Sequence, residues 1–72
     1  MVKVGDVVTY VDEMRQERNA LVTCVHNQDY INLVVVANDP NKTDGYGQQT
    51  EHDSSVGRLD EFNKPGRHFI ER

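Results

Sequence analysis

The run Tyr30-Ile31-Asn32-Leu33-Val34-Val35-Val36-Ala37 sets four apolar residues in succession, Leu33 to Val36. Its β-branched content marks it as a strand. Successive strand side chains point to opposite faces, so this strand is apolar on both. It therefore suits the middle of a closed or sharply bent sheet, or one whose outer face joins a partner chain. A flat sheet with one plain wet side does not fit it.

The rest of the chain supplies four more short runs. Gly5-Asp6 opens Val7-Val8-Thr9-Tyr10-Val11. The run Ala20 to His26 places Ala20, Val22, Cys24 and His26 on one face and Leu21, Thr23 and Val25 on the other. Gln48 to Val56 reads as a polar edge strand, with Thr50, His52, Ser54 and Val56 sharing a face. Arg67 to Glu71 is a short closing strand.

The connections are equally distinct. Asp12 to Arg18 has one apolar member, so it has no stripe with which to dock a helix and reads as an exposed loop. Asn27-Gln28-Asp29 is a tight turn, because Asn and Asp bond their own main chain and tolerate left-handed backbone. The segment 38–47 is too polar and glycine-rich for regular structure, and reads as the most mobile part. The segment 57–64 is a further connection, with a helical turn around Leu59 to Phe62, before a type II turn at Pro65-Gly66.

Runs this close together leave no room for βαβ crossovers, so antiparallel pairing is expected. Five such strands avoid raw edges by curling up. The expectation is one domain over residues 1–72, all-β, a small five-strand antiparallel SH3-like barrel. Strands are placed near 6–11, 19–26, 30–37, 49–56 and 67–71, with Val8, Val22, Cys24, Leu33, Val35 and Ile70 as core. An OB-fold ranks second, since it wants a longer chain and a real helix between its third and fourth strands.

Charge narrows the function. The chain has 8 Lys+Arg against 12 Asp+Glu, a net charge of −4. Nonspecific nucleic-acid affinity comes from cations on phosphates, so general nucleic-acid binding is not expected. No apolar run approaches the roughly 20 residues of a membrane span. Met1 to Asp6 lacks a signal-peptide hydrophobic region, and the single cysteine has no internal disulfide partner. Secretion through a signal peptide is therefore not expected.

No residue pattern supplies chemistry. Gly45 and Glu51 match half of an EF-hand, but Pro40 and Lys42 stand where its first ligands belong. His26, His52 and His68 fall on three strands without zinc-pair spacing. Cys24 has His26 nearby but no orienting group or oxyanion donors, and it reads as a small core hydrophobe. Gly45-Tyr46-Gly47 offers amides to a phosphate, yet neither follows a parallel strand nor opens a helix. The expectation is a non-enzyme with no metal and no cofactor. The tyrosines lack the tryptophan of most polyproline sites. Arg58, Lys64, Arg67 and Arg72 give the C-terminal part a basic bias, and Tyr46, Arg58, Arg67 and His68 are the contact candidates for a ligand or partner.

In order, the runs Gly5 to Tyr10, Ala20 to His26, Ile31 to Val35, Ser55-Val56 and Pro65 to Phe69 resemble a group of small uncharacterised proteins of tailed bacteriophages and prophages. That group looks like SH3-like β-barrels and often ends in a tryptophan-containing strand after Pro-Gly, where this chain has Arg67, His68 and Phe69. The resemblance implies phage-related origin, with host cytoplasm or virion as the place of work, and transfers no activity. Two functions follow as expectations. The first is a binding module acting by protein contact, as a minor virion component or host-directed accessory factor, with self-association most simply as a dimer. The second is a binder that sequesters a nucleotide or nucleotide-derived signal between subunits, through Gly45-Tyr46-Gly47, Arg58, Arg67 and Arg72.

Overall fold

The computed structural model describes residues 1–37, 39–59 and 66–72. Five strands follow in chain order: β1 (Val7–Val11), β2 (Glu17–Asn27), β3 (Tyr30–Val36), β4 (Thr50–Arg58) and β5 (His68–Ile70). Each pairs with the next, and β5 returns to β1, closing an all-β barrel of SH3-like type. The expected helical turn, apart from Leu59, and the Pro65-Gly66 turn, apart from Gly66, lie outside the described residues.

One expectation needs correcting. The pairing is mixed, because β4 and β5 run parallel through Gly57↔His68 and Arg58↔Phe69. The reason is parity. Direction can alternate all the way round a closed ring only if the strand count is even. With five strands and β5 antiparallel to β1, one neighbouring pair has to be parallel.

The core cluster is Val2, Val8, Tyr10, Ala20, Val22, Ile31, Leu33, Val35, Val56 and Phe69. Thus Val8, Val22, Leu33 and Val35 lie where expected, whereas Cys24 and Ile70 are only half-buried. A bulge in β2 explains Cys24. Val22 faces Leu33, but the next registered pair is Cys24↔Asn32, so one extra residue reverses the alternation. Val25 then leans on the core in its place. In β5 two adjacent apolar residues compete for one inward position, and Phe69 takes it fully buried.

β2 slips register again between Val25 and Asn27, and β4 carries a bulge of its own. Ile31 faces Val56 but Leu33 faces Asp53, leaving an extra residue between them, and Ser55 sits at φ 54°. Asn32 Oδ1 holds the bulge by accepting from Ser55 N–H at 2.9 Å and His26 Nε2–H at 2.8 Å. The expected shared face of Thr50, His52, Ser54 and Val56 is thereby broken. Val56 enters the core while His52 and Ser54 stay exposed. At the β2–β3 hairpin, Asn27 Oδ1 accepts from the N–H groups of Asp29 and Tyr30 at 2.8 and 3.1 Å. No left-handed residue occurs there, and the turn is held by these side-chain bonds together with Arg58 N–H donating to Asp29 O at 2.8 Å.

Candidate functional site

β1 and β3 are both antiparallel to β2, so the loops that leave them emerge at the same end of the barrel. Those loops contain one structure used twice. In the first, Asp12 Oδ1 accepts from Met14 and Gln16 N–H, both at 2.9 Å. Asp12 N–H donates to Gln16 O at 3.1 Å, and Arg15 N–H to Asp12 O at 3.0 Å. In the second, Asp44 Oδ1 accepts from Tyr46 and Gln48 N–H at 2.8 and 3.0 Å. Asp44 N–H donates to Gln48 O at 2.8 Å, and Gly47 N–H to Asp44 O at 3.1 Å. The fourth residue of each is left-handed, Arg15 at φ 63° and Gly47 at φ 79°. An aspartate four residues ahead of a glutamine, with a left-handed position between, is the shared pattern.

The third residue of each loop is therefore presented on an ordered support. These are Met14, 82% exposed, and Tyr46, 91% exposed. The amides of Tyr46, Gly47 and Gln48 all bond to Asp44, so the loop's own carboxylate and carbonyl take the donors that a phosphate would need. The main-chain donors of Gln48 and Tyr46 hold the Asp44 carboxyl below its ordinary range, and Thr50 Oγ1–H adds a bond at 3.1 Å. Further main-chain bonds run through the same segment. Lys42 N–H bonds Asp39 O at 3.0 Å, and Ala37 N–H bonds Gln49 O at 2.9 Å.

A groove runs beside these loops as two adjoining hollows. One, of about 300 Å³, includes Tyr10, Asp12, Met14, Lys42 and Glu51 in its walls. The other, of about 550 Å³, lies along Ser54, Ser55 and Val56. They share Glu13, Asp53 and Arg67. At that waist Tyr10 OH donates to Asp53 Oδ2 at 2.8 Å and Arg67 Nη1–H to Asp53 Oδ1 at 3.0 Å. Arg67 also lies 3.7 Å from Glu13. Burial, then the bond to Asp53, pushes the Tyr10 phenol far up, so it stays a neutral donor.

Cations and carboxylates alternate along the rest of the groove. Arg18 lies over the Tyr10 ring at 5.6 Å, pairs with Asp12 at 3.2 Å and approaches Glu51 at 3.7 Å. Lys42 meets Glu51 at 2.8 Å, a bond that raises the lysine and lowers the glutamate.

The four sequence candidates do not form one site. Tyr46 stands on its loop and Arg67 spans the groove waist. His68 begins β5, half-buried between Val11 and Gly57. Arg58 is a structural clamp at the end of β4. Its Nε–H donates to Gln28 O at 2.9 Å, its Nη1 meets Glu71 at 2.9 Å, and its guanidinium covers Phe69 at 5.0 Å. Arg72 bonds Thr9 and Asn19. Arg58, Arg67 and Arg72 therefore have separate partners and do not converge around an anion. Among the described residues no three His, Cys, Asp or Glu side chains form a metal-holding group. No helix there is long and apolar enough to cross a membrane.

Asp12, Glu13, Met14, Tyr10 and Asp53 were not among the sequence candidates. The repeated Asp-to-Gln spacing could have marked the two loops, whereas nothing local signals the Tyr10–Asp53 bond. In comparisons with known proteins, no family model, no curated protein and no solved structure matches the chain.

Proposed function

We propose that this chain is a non-catalytic binding module that works by protein contact at its loop-bearing end. The observation that carries this reading is the pair Met14 and Tyr46, two large side chains held out by matching ordered loops beside a groove. A loop backbone already bonded into shape has less freedom to lose on binding, and exposed aromatic and methionine side chains are favoured interface anchors. The paired charges of the groove suit a polar rim around such anchors. The distributed arginines and self-bonded loop amides weigh against a phosphate-bearing ligand. Net charge of −4 weighs against nucleic acid. Phage-related origin, and work in the host cytoplasm or virion, rest on the sequence resemblance alone.

The test pairs the wild type with a Met14→Ser/Tyr46→Ser double variant. Both positions are exposed, so the melting temperature should hold within a few degrees. Binding partners captured from the natural host should fall at least about tenfold with the variant, the loss expected when interface anchors worth 1–2 kcal/mol are removed. Equal capture by the two proteins would reject this end as the contact surface.

A further inference from the structure

We propose that the outer face of β1, β2, β3 and β4 is a two-fold interface between two copies of this chain. Cross-strand register aligns Val7, Leu21 and Val34 in one row, which continues to His52. Val36 stands two residues further along β3, opposite Thr50. Val7, Leu21 and Val36 are 48%, 44% and 69% exposed. A shallow hollow of about 250 Å³, lined by Val7, Leu21, Val34 and Val36, opens beside them. Protruding valine and receiving hollow thus occur on the same patch, as a self-complementary contact requires.

Charge selects a second copy as the occupant. Asn19, Thr9 and Thr50 complete the central rows, and all are neutral. The central row ends in opposite charges, with Arg72 bonding Thr9 and Asn19 on its β1 side and Asp44 accepting from Thr50 on its β4 side. Glu17 lies one row further, and Lys3, Asp6 and Glu71 stand beside Val7 at the rim. A two-fold axis running along the strands sets the β1 side of one copy over the β4 side of the other, so Arg72 of each copy faces Asp44 of its partner. A partner recruited by charge would need a face of one sign. Strand addition is not the route, since the sheet closes on itself.

Area sets the strength. Four strands about 4.8 Å apart and three rows about 7 Å apart cover roughly 19 by 20 Å. Two such faces bury roughly 800 Å² in total, the size of weak and transient contacts. Association should therefore be reversible and appear at micromolar concentration.

Sedimentation equilibrium between about 1 and 500 μM tests this, the range over which contacts of that size assemble. The weight-average mass should rise from 8.2 kDa towards twice that value. Leu21→Lys and Val36→Lys, each at an exposed position, should hold the chain at 8.2 kDa while leaving circular dichroism unchanged. Tyr46→Ser should associate like the wild type, which separates this face from the loop end. A wild type that stays at 8.2 kDa throughout would overturn the proposal. So would dimers that persist in both folded lysine variants.

Discussion

Phe69→Ala should strip the chain of about 3–5 kcal/mol of folding stability, a large share of what so small a domain has. Phe69 is the largest of the fully buried side chains and the sole inward residue of a three-residue strand. Removing a buried phenylalanine costs about 3–5 kcal/mol. A domain of 72 residues has only about 4–11 kcal/mol in all. The loss falls where it does most damage, because β5 joins β1 to β4 and closes the barrel. Urea unfolding followed by circular dichroism reads the effect. A loss under 1 kcal/mol would mean that β5 does not close the sheet.

Arg58→Ala should cost about 2–3 kcal/mol, the range for charged hydrogen bonds lost from a half-buried site. The side chain ties the β2–β3 turn at Gln28 O to Glu71 near the C-terminus, and it roofs Phe69. Lysine should not restore the loss, since one ammonium cannot make the forked contacts and stack on the ring. The melting temperature should drop by about 10 °C or more. Partner capture by the folded fraction should be unchanged, in contrast to the loop-end variant. Loss of capture with normal melting would return Arg58 to the binding surface.

The barrel was legible because its pattern is local. Leu33 to Val36 announced a strand apolar on both faces, and the structure uses both, Leu33 and Val35 inside and Val36 outside. The strand positions agree to within about two residues because turn residues bracket each run. The bulges were not legible. One extra residue at Cys24 and one near Ser55 reverse the alternation that face assignments assume. Cys24 and Ile70 were misplaced for reasons of that kind, a phase slip in one case and a contest with Phe69 in the other.

The site was less legible than the fold. Tyr46 stands out in the sequence as an aromatic between two glycines, whereas Met14, on the matching loop, does not, because its surroundings are merely polar. Arg58 was taken for a ligand contact on composition, although the fold spends it on Gln28, Glu71 and Phe69. The Tyr10–Asp53 bond joins residues 43 positions apart, so only the closed barrel brings them together.

Native mass spectrometry of the chain purified from its natural host tests most directly that it acts by binding protein. Species built from polypeptide alone are expected, either two copies of 8.2 kDa or one copy with another protein. A stoichiometric adduct of a few hundred daltons, of the size of a nucleotide and retained through purification, would contradict that claim and restore the small-ligand reading.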